Sequence, residues 1–287
     1  MRGTGSESAR AGPRARPVTW RLVRVVRFAL GDQVSFGVLE VDDDGVTVVQ
    51  AVRGHPFAPM QAVGAPIGLG LVRLLAPMIP SKIVAFGRTY AAHAAELGNE
   101  VPSNPLTFLK PATSVCGPGD PIVLPAISNE VSYEAELAVV IGRICKDVPA
   151  ERALDVVLGY TAANDVSARD LQRSDGQWGR AKSFDTFCPL GPWIETDLDP
   201  TDVAVQCRLD GELVQNGRTS SLLITVAQQI AIVSQVMTLL PGDIILTGTP
   251  QGVGQMVAGQ TVEVIVESIG TLTNPVIAGA PVGVSRG

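Results

Sequence analysis

The sequence has little of the material from which soft-metal and redox centres are built. It holds only two histidines, His55 and His93, and four cysteines. Cys116, Cys145, Cys188 and Cys207 form no CxxC pair, and their spacing is wide and irregular. A zinc site, a His-rich metal centre and a disulfide framework are therefore not expected. Reduced thiols in a cytoplasmic protein are the simpler reading. Aromatics are scarce, at 5%. Basic charge is also in deficit: the net charge is -6, and no basic stripe of the kind that tracks nucleic acid is present. The cluster from Arg10 to Arg24 is confined to the N-terminal end and reads as a solvated tail. Long apolar runs are missing too. The longest, Ser221 to Leu240, is broken by Gln228, Gln229 and Gln235, so no membrane span is expected. The N-terminus has no apolar signal-peptide core. Its Arg- and Ser-containing start resembles a transit sequence only loosely, and Glu7 argues against one.

What is present in quantity is glycine (30) and proline (21), beside a 46% hydrophobic share. That mixture predicts an α+β fold that is mostly β, with ample core and many turns. Residues 1–17 are expected to be a disordered tail and 18–80 a small N-terminal β domain. There, short β-prone runs alternate with the turns Gly31-Asp32 and Asp42 to Gly45. Residues 81–287 are expected to form the larger domain. Within it, strands are expected at 82–87, 121–124, 131–141, 203–209, 212–215, 243–247, 261–268 and 271–277. Asp210-Gly211 is a hairpin turn. Helices are expected at Tyr90 to Leu97, Pro149 to Leu158 and, the longest, Ser220 to Leu240. Residues 98–120 read as mostly loop, and 160–200 as a long polar stretch.

The chemistry starts with Glu134 and Glu136. On a strand they share one face, and that face continues as apolar Ala138 and Val140. Adjacent like charges on a face that turns apolar need a cation between them. Asp165, after the apolar lead-in Val156 to Asn164, is the candidate third acid. Facing water, or capping a turn, are the plain alternatives for these acids. Three carboxylates without Cys or His make a hard, all-oxygen site. It suits Mg²⁺ or Mn²⁺, allows Ca²⁺ and disfavours zinc.

Four motifs occur in order: Tyr133-Glu134-Ala135-Glu136-Leu137, Asn164 to Gln172, Ala181-Lys182-Ser183-Phe184-Asp185, and Leu246-Thr247-Gly248-Thr249-Pro250. Together they resemble the fumarylacetoacetate hydrolase family over about residues 82 to 280, and in particular its short bacterial and mitochondrial, acylpyruvase-like branch. Vertebrate fumarylacetoacetate hydrolases carry a further aspartate ligand where this chain reads Ala85 to Tyr90, with no acid. The resemblance implies a mixed β-roll or sandwich around a metal, usually as a homodimer. It implies Glu134, Glu136 and Asp165 as metal ligands. Gln172 and Lys182 would act on the substrate. Thr249 would bind a substrate carboxylate, with Arg88, Lys110 and Arg169 as further substrate contacts. The Phe108-Leu109-Lys110-Pro111 run would shape the pocket.

In Tyr90 to Glu96, His93 and Glu96 lie three residues apart on a helix and can hydrogen-bond. By itself such a pair is ordinary surface. In the family it sits on a mobile lid as a general base, and Gly98, Asn99 and Glu100 suit a flexible segment. The expected function is hydrolysis of a C–C bond in an acylpyruvate- or fumarylpyruvate-type 2-oxo acid, through an enolate held on the metal. The alternatives are isomerisation or decarboxylation of 2-hydroxyhepta-2,4-diene-1,7-dioate-type acids from aromatic catabolism, oxaloacetate decarboxylation, and a non-catalytic metal-binding protein.

Overall fold

Strand Ala135–Ile141 is buried at every position, and it organises the molecule. In the computed structural model, residues 23–42, 44–96 and 104–280 are described. The tail at 1–17 and the stretch at Gly98 to Glu100 lie outside them. Leu137, Val139 and Ile141 point into one core cluster, with Val205, Cys207, Val264 and Val266. Ala138 and Val140 point into another, with Ile83, Leu190, Ile244 and Leu246. A run of apolar residues without polar alternation is what a strand covered on both faces requires.

The strand lies inside a 13-stranded sheet. Its continuous path runs Gln61–Ala62, Thr47–Arg53, Gln33–Val41, Arg24–Leu30, Cys188–Glu195, Val157–Asn164, Ala135–Ile141, Ile244–Leu246, Ile83–Gly87 and Leu106–Lys110. The N-terminal meander is thus hydrogen-bonded into the larger sheet, with Arg24 opposite Glu195 and Val25 opposite Ile194. A 5-stranded sheet covers one face, in the order Ile122–Leu124, Gly270–Ala278, Thr261–Val266, Ala204–Leu209 and Glu212–Arg218. Its hairpin turns at Asp210 (φ 52) and Gly211 (φ 84), both left-handed, as a two-residue primed turn demands.

Four sequence expectations are corrected. Residues 106–110 form a strand, not a loop, paired antiparallel to Ile83–Gly87. Prolines at 105 and 111 bracket it and hide its short pattern. Residues 150–156 form a 3-10 helix and the chain turns extended at Val157, because Val157–Asn164 is needed as a central strand. Residues 160–200 hold most of strand Val157–Asn164, the strands Ser167–Ala168 and Cys188–Glu195, and two short helices, Arg169–Asp175 and Gly179–Lys182. The longest helix is only Val226–Val236. It starts where Thr225 caps it: Thr225 Oγ1 accepts the Gln228 N–H, and the Gln228 side chain accepts the Thr225 N–H.

Thr225→Ala removes that cap and should cost about 1 kcal/mol, read as a lower denaturation midpoint at unchanged slope. Among the described residues no helix is long and apolar enough to cross a membrane.

Candidate metal and substrate site

The chain leaves strand geometry at Glu134, between Val131–Tyr133 and Ala135–Ile141. The break is stitched from both sides. The Glu134 N–H donates to Asn164 Oδ1 at 2.9 Å, the Ala135 N–H to Gln215 Oε1 at 2.9 Å, and the Asp165 N–H to the Glu134 carbonyl at 2.9 Å. These bonds bring Asp165 beside the two glutamates. One oxygen from each of Glu134, Glu136 and Asp165 lies within 4.8 Å of the others, and all three residues are buried.

Cations surround the cluster. Lys182, 1% exposed, donates from Nζ to Glu134 Oε2 and to Asp165 Oδ2, both at 2.6 Å. Lys110 donates to Asp165 Oδ1 at 2.5 Å and to the Val166 carbonyl at 3.3 Å. Arg169 pairs with Glu134 through Nη2 and holds Gln172 Oε1 at 2.9 Å through Nη1. Burial works against the charge on Glu134, but Arg169 and Lys182 outweigh it and hold that carboxyl well below its usual range. Glu136 goes the other way. Burial, then the charges of Asp165 and Glu134, push it far above the carboxylate range. Among the described residues one hydrogen-bond donor reaches it, the Gly248 N–H at 2.7 Å. Burial would lower Lys182, but Asp165 and Glu134 raise it, so it stays an ammonium.

The donor set fits a hard dication. It is all carboxylate oxygen, it is buried, and its least compensated member, Glu136, sits against two like charges that a cation would offset.

The cluster forms the floor of a cavity of about 390 Å³. Of the residues singled out from sequence, Arg88, His93, Glu134, Glu136, Asp165, Arg169, Gln172, Lys182 and Thr249 line it. Lys110 does not. It is 1% exposed and braces Asp165 from behind, so its contact is with a carboxylate of the cluster rather than with the cavity. Glu96 also stands back from the cavity: its Oε2 lies 3.3 Å from His93 Nδ1. The Gly252 N–H meets both Glu96 oxygens, at 3.0 and 3.1 Å. His93 is buried, 5% exposed, while Glu96 reaches the surface. Thr249 is fixed from two sides: Oγ1 donates to the Ala135 carbonyl at 2.9 Å and accepts Gln215 Nε2 at 2.8 Å.

Sequence reasoning missed Trp178, which walls the cavity against Phe108 with ring centroids 5.2 Å apart. It also missed Asn164, Gln215 and Gly248 as braces. Trp178 lies between the motif residues Gln172 and Lys182, the one hint available. An isolated tryptophan reads equally well as core.

Several sheets around a buried carboxylate triad that could hold a divalent ion, with a cavity above it, define an enzyme of the mixed-β kind. The chain belongs to the fumarylacetoacetate hydrolase family: the fumarylacetoacetate (FAA) hydrolase C-terminal family matches residues 82–277. The Rv2993c-like N-terminal family matches residues 23–77. Protein Rv2993c of Mycobacterium tuberculosis is 49% identical over 260 residues, covering 89% of this chain and 98% of that protein. The mitochondrial oxaloacetate tautomerase fahd2 of Xenopus laevis is 44% identical over 219 residues, covering 72% and 69%. Among solved structures, a 5-carboxymethyl-2-hydroxymuconate delta-isomerase from Mycobacterium smegmatis superposes with a TM-score of 0.83 at 53% identity, over 89% of this chain and 100% of that one. A fumarylpyruvate hydrolase from Pseudomonas aeruginosa, in complex with Mn²⁺ and pyruvate, gives 0.67 at 31% identity, over 70% and 91%.

Proposed function

We propose that this chain is a divalent-metal-dependent enzyme that moves a proton next to the keto group of a small 2-oxo acid. The observation that carries this reading is the buried convergence of Glu134, Glu136 and Asp165 beneath a cavity that His93 also lines. The three carboxylates would hold Mg²⁺ or Mn²⁺, which when bound supplies Lewis-acid polarisation of a keto oxygen.

The remaining work falls to the chain's own groups. His93 has Nδ1 turned to Glu96, and its other ring nitrogen, which makes no hydrogen bond among the described residues, would take a proton, with the carboxylate steadying the imidazolium that results. Glu96 is itself held by the Gly252 N–H, so the ring is oriented through a fixed partner. The Lys182 ammonium, buried and lining the cavity, would stabilise negative charge that builds on the substrate oxygen. Arg169 keeps the Gln172 carboxamide turned by holding its oxygen, which leaves the NH₂ to donate to a ligand.

If His93 takes its proton from water, the outcome is hydrolysis of an acylpyruvate or fumarylpyruvate. If it takes the proton from the carbon beside the keto group, the outcome is isomerisation. Isomerisation is favoured by the 53% identical isomerase structure and hydrolysis by the 31% identical hydrolase, so the first carries more weight.

A panel of 2-oxo and 2-hydroxydienoic acids with Mn²⁺ decides between them. Release of pyruvate with loss of the enol absorbance marks hydrolysis, and a spectral shift without pyruvate marks isomerisation. Release of CO₂ marks decarboxylation. No turnover of any member, with Mn²⁺ bound, removes the enzymatic reading.

A further inference from the structure

Residues 249–254 leave the chain break at Glu134 on one side and return to it on the other. At the first end, Thr249 Oγ1 donates to the Ala135 carbonyl at 2.9 Å. At the second, Gly254 pairs with Tyr133 in an antiparallel ladder. Tyr133 and Ala135 are the two neighbours of Glu134 in the chain. Between these ties lies Gly252. Its N–H meets both Glu96 oxygens, at 3.0 and 3.1 Å, and its carbonyl accepts the Tyr133 hydroxyl at 3.1 Å. One glycine therefore joins Glu96 on its amide side to Tyr133 on its carbonyl side.

The position of Gly252 is tightly determined. Its φ is 97, and a Cβ there would come 2.1 Å from the Val214 carbonyl oxygen, so only glycine lets the loop lie this close to strand Glu212–Arg218. Gln215 on that strand pins the start of the loop, donating from Nε2 to Thr249 Oγ1 and to the Pro250 carbonyl, both at 2.8 Å. Gly254 leaves room for the tyrosine: a Cβ there would come 2.6 Å from Tyr133 Oη. Tyr133 is 4% exposed. Burial first, then the nearby Cys207 and Glu96, push its hydroxyl up to about 12, so it stays an O–H donor at neutral pH.

Glu96 needs such an anchor. It ends the six-residue helix Ala91–Glu96, and its side chain is 34% exposed. A carboxylate so placed gives up rotamer freedom to stand in one orientation. Its contact with His93 Nδ1 is 3.3 Å, longer than either of its bonds to the Gly252 N–H. Gly252, more than His93, fixes where the carboxylate stands.

We propose that Tyr133 is a positioning residue for the His93–Glu96 pair: by holding Gly252 it sets Glu96, and through Glu96 the imidazole, in register with the carboxylate floor. This deepens the reading of His93 as the proton-transfer group and rests on it. Tyr133 does not line the cavity, so its effect on a ligand there passes through the loop. The residue before Glu134 in the chain thus ties the placement of the proton-transfer group to that of the floor.

The test uses the ring signals of the two histidines, His55 and His93, in ¹⁵N-histidine-labelled protein loaded with diamagnetic Mg²⁺. His93→Ala assigns the two rings, and Glu96→Gln supplies the signals of a His93 ring without its carboxylate. Tyr133→Phe removes one hydroxyl and keeps the ring. It should move the His93 signals away from wild type towards those of Glu96→Gln, leave the His55 signals in place, and leave the Mg²⁺ midpoint within error. On the acid that the panel shows to be turned over, kcat should fall about three- to tenfold at unchanged KM, the scale of one ordinary hydrogen bond. Adding Tyr133→Phe to Glu96→Gln should cost nothing further, because both act through one carboxylate. The proposal is overturned if the His93 signals of Tyr133→Phe match wild type, if the Mg²⁺ midpoint moves instead, or if the two turnover losses add. If no acid of the panel is turned over, the enzymatic reading falls, while the ring signals still decide whether Tyr133 orients His93.

Discussion

Lys182→Met should separate three properties of the site. Without metal, the variant should be less stable than wild type by about 3–5 kcal/mol, the scale of stranding a buried charge. The reason is local: among the described residues Lys182 is the one cation bonded to both Glu134 and Asp165, and without it they keep one cation each, Arg169 and Lys110, against the three carboxylates of the cluster. Adding Mn²⁺ should recover much of the loss, because a dication offsets the same repulsion. The metal midpoint in a thermal-shift titration should be at least as favourable as in wild type, since a competing positive charge is gone. Turnover should nevertheless fall by about 10²–10³, the usual cost of losing a preorganised charge at a developing oxyanion. A variant that keeps wild-type turnover would show that Lys182 is only a structural counter-ion.

The second large effect is at His93. His93→Ala should lower turnover by about 10²–10⁴ while the Mn²⁺ titration stays within error of wild type. His93 reaches the cavity from the short helix Ala91–Glu96 and makes no hydrogen bond to the three carboxylates, so deleting its ring leaves the cation floor intact. Unchanged turnover would remove the His93–Glu96 pair from the mechanism. Glu96→Gln is the companion variant. Its amide oxygen can still accept the Gly252 N–H, but the imidazolium loses its counter-charge. It should fall between wild type and His93→Ala in turnover.

Some of this site could be read from local pattern. Glu134 and Glu136 are two residues apart on a β-prone run, and the apolar residues that follow on the same face made an open, wet face implausible. In the structure both are buried, at 5% and 1% exposure. His93 and Glu96 were one helical step apart, which a short-range rule captures. The hairpin at Asp210-Gly211 was legible for the same reason. Other elements were not. The helix near Pro149 has helical composition, yet from Val157 the chain is strand, because only a strand there can bridge Ala135–Ile141 to Cys188–Glu195. Lys110 looked like a substrate contact by motif. Its place behind Asp165 follows from an edge strand, Leu106–Lys110, that sequence did not reveal.

By itself, then, the sequence determined which groups could do chemistry: carboxylates without thiol or imidazole partners, spaced to share a face and able to hold a hard cation, in a β-rich fold. Those properties depend on residue type and on neighbours two to four positions away. Only the tertiary structure decided how the charges pair. Lys182 finds Glu134 across 48 positions, Lys110 finds Asp165 across 55, and Arg88 is left facing the cavity from a strained turn beside Trp178. Pairing of that kind is settled by where the sheet carries each strand end, and burial then sets how strongly each charge is felt.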